Sequence, residues 1–221
     1  MRYTRYDYKR YEKLKFLLSV IVIIAVSIGG GLWVGNIIFN KSISFPQSVK
    51  TQGKKNSLDT LNLVALQCGY YGNEENAQKC LSEVKNYCPG FIVNDNGKYR
   101  IIAGIYKEAD VQKNIDELKK NGIETSKIKF NLNSSNEEEA KLIEIEDGAV
   151  TIMNKLQEND VESVKSSEFK KWTNDIIGDN KDIKCEKLKS MYESINSLPE
   201  EMTKNNTQEF YGNIYKIINE E

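Results

Sequence analysis

The chain contains no histidine among its 221 residues. Histidine is the usual proton carrier of catalytic triads and a frequent ligand of zinc, so its absence excludes histidine-based hydrolases and the common zinc sites. The four cysteines show no Cys-x-x-Cys spacing, which also argues against a metal site. Acidic pairs such as Glu74/Glu75 and Glu200/Glu201 stand where helices are predicted to start, and the helix dipole explains them better than glycosidase chemistry does. We therefore expect a protein that is not an enzyme and needs no cofactor.

Charge is absent from residues 16–40, which contain no Asp, Glu, Lys or Arg. At 1.5 Å rise per residue, a helix of about 25 residues is long enough to cross a hydrocarbon layer about 30 Å thick. We predict a single transmembrane helix here rather than a cleavable signal peptide or a buried core helix, whose apolar runs are shorter. Residues 1–15 carry six basic side chains and residues 41–58 carry four, which favours a cytoplasmic N-terminus.

Acidic residues are absent from 41–58, where Lys, Ser, Asn and Gln are frequent. Such a composition cannot bury a core, so we predict a flexible linker that follows the membrane span. Whatever folds after residue 58 is then held close to the membrane.

Residues 59–131 show a regular alternation of short strands and helices. The predicted elements are a strand over 61–68, a helix from an N-cap at Asn73 to a stop at Pro89-Gly90, strands over 91–93 and 98–104 joined by the turn Asp95-Asn96-Gly97, a helix from 109 to Asn121-Gly122, and a strand over 123–130. This βαββαβ order is the split βαβ arrangement, in which both helices cover one face of a four-stranded antiparallel sheet. The expected fold class is therefore α+β, with a domain of residues 59–131 that contains its own core and folds alone.

Alternation along the strands assigns side chains to two faces of the predicted sheet. The side chains predicted to point to the helices are Val64, Leu66, Cys68, Tyr99, Ile101 and Ala103. Those predicted to lie on the opposite, open face are Ala65, Gln67, Lys98, Arg100 and Ile102. In the last strand Ile128 and Phe130 alternate with Lys127 and Lys129, and the pattern leaves open which pair lies on the open face.

Two motifs in this stretch resemble those of the SPOR domain family. Residues Gln67–Tyr71 are similar to the family's Gln-x-Gly-x-aromatic at the end of strand one, and Gly97–Gly104 to its Gly-x-Tyr-Arg-hydrophobic-x-x-Gly in strand three. The resemblance covers about a third of the chain, residues 61–130. It implies a sheet face that binds the glycan strands of peptidoglycan, with a preference for strands poor in stem peptides, as at division or sporulation septa.

The resemblance places the glycan contacts at Gln67, Tyr70, Lys98 and Arg100. These side chains offer hydrogen-bond donors, an acceptor and a ring, which suit sugars rich in hydroxyl and N-acetyl groups. The chain departs from the family pattern at Lys98 and Tyr70, where relatives often carry an aromatic and a small polar residue. Stacking is therefore expected to move from strand three to the loop after strand one. Taken singly, each of these residues is equally well an ordinary side chain on a solvated sheet face.

Two of the cysteines, Cys68 on the inner face of strand one and Cys80 on the inner face of the first helix, are expected to approach each other. Outside the cytoplasm this arrangement permits a disulfide, and free buried thiols are the equal alternative.

Residues 132–221 hold the negative charge of the chain, with 20 acidic and 11 basic residues against 10 and 10 in 59–131. Apolar residues recur there at helical spacing in four segments, 142–156, 169–176, 188–195 and 210–218, with breaks predicted at Asp147-Gly148, Gly178-Asp179 and Leu198-Pro199. We predict an antiparallel bundle of three or four helices. Its aromatic residues are expected in its core, with a groove for a partner as the alternative.

These predictions combine into a single-pass protein of the bacterial cell membrane, with a cytoplasmic N-terminus and extracytoplasmic C-terminal domains, that binds peptidoglycan at septa. The alternative is a scaffold that recruits a division or sporulation protein through its helical bundle. Nucleic acid is not expected as a partner, although RNA-binding domains share the split βαβ fold. RNA binding requires exposed aromatic residues on the central strands and a basic surface, whereas the charge of 59–131 is balanced.

Overall fold

The computed structural model describes residues 60–88, 90–158, 160–178 and 182–219, which belong to one compact unit. The predicted basic segment (1–15), transmembrane helix (16–40) and linker (41–58) lie outside these residues, as do Pro89 and Asp179 of two predicted breaks. No helix in the described part of the chain has both the length and the apolar character of a membrane span.

A four-stranded antiparallel sheet forms the first half of the described chain. Its strands are β1 (Thr60–Tyr71), β2 (Phe91–Asp95), β3 (Lys98–Lys107) and β4 (Ser126–Asn133), in the order β2-β3-β1-β4. Helix α1 (Glu74–Val84) connects β1 to β2, and helix α2 (Val111–Lys120) connects β3 to β4. The predicted α+β class and the βαββαβ order are confirmed, and β1 and β3 are the two central strands. As predicted, Asn73 is the N-cap of α1, and its side chain accepts a hydrogen bond from the Asn76 N–H.

Helices α1 and α2 cover one face of this sheet, which we call the first face. The core residues buried there are Val64, Leu66, Ala77, Leu81, Val84, Ile101, Ala103, Tyr106, Val111 and Leu118. The side chains predicted to point to the helices do lie on this face, because strand alternation and helix periodicity select the same apolar set.

The second half of the described chain is mainly helical. It contains α3 (Glu137–Lys155), α4 (Ser166–Ile177), α5 (Glu186–Asn196) and α6 (Gln208–Asn219), together with the small antiparallel pair β5 (Ser163–Lys165) and β6 (Glu201–Thr203). The four helices match the four predicted apolar segments. Their aromatic residues Phe169, Trp172 and Phe210 are buried, as expected for a core. The pair β5–β6 was not predicted, because strands of three residues show no readable periodicity.

The break predicted at Asp147-Gly148 is wrong, since α3 continues through both residues without interruption. A Cβ atom at Gly148 would lie 2.6 Å from the Trp172 ring. The glycine is therefore explained by the close approach of the Trp172 indole to the α3 backbone, and it does not end the helix.

The second face of the sheet is covered as well, so the expectation of an open face is wrong over most of its area. Helix α3 contacts β1, β3 and β4, and α6 contacts β2 and β4. Ala65 and Ile102, both predicted to be exposed, are fully buried. The physical reason is that the strands are apolar on both sides, which is typical of a sheet between two layers.

The register of β4 against β1 shows which of its alternating side chains lie on the second face. Ile128 pairs with Ala65 and Phe130 with Leu63, so both isoleucine and phenylalanine lie on the second face. Lys127 and Lys129 lie on the first face and are exposed to solvent.

Candidate functional site

The four residues predicted to contact glycan lie together at one end of the second face. Tyr70 is the register partner of Arg100 across β1 and β3, and Lys98 begins β3 two residues earlier. Gln67 lies beside them, because its side-chain oxygen accepts a hydrogen bond from the Arg100 guanidinium. The structure therefore brings all four predicted residues into one group.

An irregularity in β1 places Gln67 and Tyr70 on the same side of the sheet. Gln67 pairs with Ile102 and Gly69 pairs with Ile101, so Cys68 is the extra residue of a β-bulge. In a regular strand, residues three apart point to opposite faces. After the bulge, the alternation of the last residues of β1 is shifted by one position. The Tyr70 side chain therefore lies on the second face, next to Arg100.

Asp95, whose position in the sequence predicts only a hairpin turn, is a fifth member of this group. Its Oδ2 atom accepts a hydrogen bond from the Arg100 guanidinium at 2.7 Å and another from the Tyr70 hydroxyl at 3.0 Å. The Arg100 guanidinium lies 4.7 Å from the centre of the Tyr70 ring, and the Lys98 ammonium lies 5.3 Å from it. We call Gln67, Tyr70, Asp95, Lys98 and Arg100 the Tyr70 cluster.

The pKa values of two groups in the Tyr70 cluster are shifted in opposite directions. The pKa of Asp95 is lowered, first by the hydrogen bond from Arg100 and then by the one from Tyr70. The pKa of Tyr70 is raised by desolvation and by its bond to the Asp95 carboxylate. At neutral pH the cluster thus contains a carboxylate, two cations and a neutral phenol that donates a hydrogen bond to the carboxylate.

A pocket of about 120 Å³ adjoins the Tyr70 cluster, between the β2–β3 hairpin and the last turn of α6. Its walls are formed by Val93, Asn94, Asp95, Arg100, Tyr215, Lys216 and Asn219. We call it the hairpin cleft. The residues from α6 were not predicted as site residues, because they are more than a hundred positions away from the motifs in the sequence. The cleft offers amide, hydroxyl and charged groups around a partly apolar floor.

Cys68 and Cys80 do not belong to this site. Both are free thiols packed against the core of the first face, as is Cys88. Burial raises the pKa of Cys68 to about 12, and the neighbouring Cys80 thiol adds to the shift. Among the residues that the structure describes, no group of His, Cys, Asp and Glu is arranged to hold a metal ion.

Comparisons with family models, with curated proteins and with solved structures found no match to this chain.

Proposed function

We propose that the chain is a membrane-anchored, non-catalytic protein that binds glycan strands of peptidoglycan at the Tyr70 cluster and the hairpin cleft. The proposal joins the resemblance of Gln67–Tyr71 and Gly97–Gly104 to the SPOR family with the uncharged run of residues 16–40. A protein with such a span and a wall-binding domain would act outside the cytoplasm, at division or sporulation septa.

The exposed ring of Tyr70 is the observation that carries the proposal. Within the described residues, the large hydrophobic side chains that are exposed are Tyr70, at 42%, and Tyr87, at 50%. Tyr70 differs from Tyr87 in that its hydroxyl and ring are both engaged, by Asp95 and Arg100. An exposed ring in a fixed orientation, surrounded by amide and charged groups, provides an apolar surface for a sugar ring and hydrogen bonds for its substituents.

The polar partners of Tyr70 support the same ligand class. The Arg100 guanidinium donates hydrogen bonds to Gln67 and Asp95. Because a guanidinium has five N–H donors, some remain for a ligand. The cluster is organised before any ligand binds, which lowers the entropy cost of binding.

Two tyrosine variants test the proposal with a matched control. Full-length protein in detergent is mixed with isolated sacculi, either untreated or trimmed by an amidase, and the bound fraction is measured. Tyr70→Ala and Arg100→Ala are each expected to weaken binding by roughly fivefold to a hundredfold, since hydrogen bonds contribute about 1 kcal/mol and charge-assisted ones about 1.5–3 kcal/mol. Tyr87→Ala, which removes the other exposed ring, is expected to bind as the wild type does.

Circular dichroism of each variant checks that the fold is retained. Trimmed sacculi are expected to bind more protein than untreated ones. Binding that is the same for Tyr70→Ala, Tyr87→Ala and the wild type would refute the glycan site.

A further inference from the structure

The hairpin cleft is closed on the side that faces the middle of the sheet. Tyr215 forms its inner wall and lies over the second face, with ring centres 6.3 Å from Phe91 on β2 and 5.9 Å from Phe130 on β4. Tyr211 adds a further contact with Phe91 at 5.9 Å. These four rings are buried, so they block any path for a ligand from the cleft across the strands.

The layer behind the cleft cannot open at low cost. Burying a large apolar side chain contributes about 1.5–3 kcal/mol, and the second face buries many of them together, including Leu63, Phe91, Ile102 and Leu132. Separating α3 and α6 from the sheet would therefore cost a large part of the stability of a domain of this size. The closed inner wall is a permanent part of the fold.

The size and charge of the cleft limit what enters it. A cavity of about 150 Å³ holds a single benzene ring, so a cleft of about 120 Å³ accommodates the substituents of one sugar but not two linked sugars. The cations Arg100 and Lys216 are balanced by the Asp95 carboxylate and by the carbonyl end of α6, which carries partial negative charge. This balance favours a neutral group with both donors and acceptors.

We infer that the hairpin cleft binds the terminal, non-ionic N-acetylated sugar of a glycan strand and not its interior, with Lys216 and Asn219 of α6 as contact residues. The inference rests on the proposed function and makes it more specific. A linear polymer that crosses a sheet needs a groove open at two sides, whereas this cleft ends at Tyr215. The strand enters from the solvent side, where the Tyr70 ring contacts the sugars that follow.

Binding stoichiometry on strands of different length tests the inference. Glycan strands freed of stem peptides are separated by length, and the full-length protein bound per strand is measured at saturation. One protein per strand at every length is expected. Protein bound in proportion to strand length would overturn end recognition and leave the proposed function standing, whereas no binding to any strand would overturn both.

Affinity for short probes gives a second, independent readout. For β-1,4-linked N-acetylglucosamine oligomers of one to six sugars, affinity is expected to rise over the first two or three and then remain constant. Lys216→Ala and Asn219→Ala are each expected to lower affinity about three- to tenfold. Lys119→Ala is the control, because this exposed lysine lies on α2, which covers the opposite face of the sheet. Affinity that rises over the whole series, or that is unchanged in both α6 variants, would contradict the assignment.

Discussion

The Tyr70 hydroxyl and the Arg100 guanidinium both donate a hydrogen bond to the same atom, Oδ2 of Asp95, while the guanidinium also lies 4.7 Å from the centre of the Tyr70 ring. Each of the two side chains therefore restrains the other. Because Asp95 ends β2 and Arg100 lies on β3, the ring is attached to two strands besides its own. Removal of any of the three side chains should therefore change the orientation of the other two.

The first prediction concerns the titration of Asp95. The hydrogen bond from Arg100 is the largest cause of its lowered pKa and the bond from Tyr70 the second. The pKa of Asp95 should therefore rise toward its ordinary value in Arg100→Ala, and by less in Tyr70→Phe. NMR titration of the carboxyl carbons measures both changes. An Asp95 pKa that does not change in Arg100→Ala would contradict the observed geometry.

The same shift gives a direction for stability. Because the pKa of Asp95 is lower in the folded than in the unfolded protein, its contribution is fully present above the unfolded-state pKa. It is lost as the pH falls through the folded-state pKa. Asp95→Asn should consequently reduce the difference in stability between neutral and strongly acidic pH.

The second prediction compares the same substitution at two helical glycines. Gly148→Ala would place a methyl group 2.6 Å from the buried Trp172 ring, which is stacked on Phe169, so a loss of about 1–3 kcal/mol is expected. Gly212→Ala on α6 meets no atom within 4 Å and should gain up to about 1 kcal/mol from helix propensity. Urea denaturation measures both, and effects of the same sign would contradict the close packing of the Trp172 ring on the α3 backbone.

The third prediction is that residues 60–133 do not form a stable monomer on their own. The sequence pattern indicated a domain that folds alone, but in the structure Ala65, Ile102 and Leu132 are covered by the C-terminal helices. A fragment without those helices exposes a continuous apolar face, so it should aggregate or bind a hydrophobic dye. Size-exclusion chromatography with and without a separately produced fragment 134–221 tests this, and a soluble, cooperatively folding 60–133 would refute it.

The fourth prediction concerns the thiols of the first face. Burial raises the pKa of both Cys68 and Cys88 to about 12, so at pH 8 their thiolate fractions should fall roughly a thousandfold below those of ordinary cysteines. Alkylation followed by mass spectrometry should find both thiols slow to react in the folded protein and fast in urea. Equal rates in the two conditions would contradict the burial.

The same experiment distinguishes the two states that the sequence left open for Cys68 and Cys80. If they are free thiols, as in the structure, both become alkylated in urea without reductant. A disulfide formed outside the cytoplasm would protect both until a reductant is added.

Local periodicity explains why the first face could be predicted from the sequence. Val64 and Leu66 alternate along one strand, and Ala77, Leu81 and Val84 repeat at helical spacing on the helix that follows, so each segment defines its own buried side. The turn at Asn96-Gly97, where both residues have positive φ, was equally readable because few sequences tolerate that backbone conformation.

The second face could not be read in the same way, because its covering helices lie far along the chain. One signal was present: Ala65 and Ile102 are apolar residues on the side assigned to solvent. At the site, the sequence grouped Gln67 and Arg100 correctly through adjacent strands, but Tyr215 and Lys216 approach them only through tertiary packing. Asp95 could not be recognised as a site residue from the sequence, because aspartate is common at such turn positions.

The side chain of Gln208, the first residue of α6, donates a hydrogen bond to the carbonyl oxygen of Gly90, 118 positions earlier. Strand β2 thus leaves the ribosome about a hundred residues before α6, the helix that covers it. At about 5–20 residues per second, this delay is on the order of ten seconds. During synthesis the second face of the sheet therefore stays partly uncovered until α6 has been made. A premature stop anywhere before α6 releases a chain whose core cannot be completed.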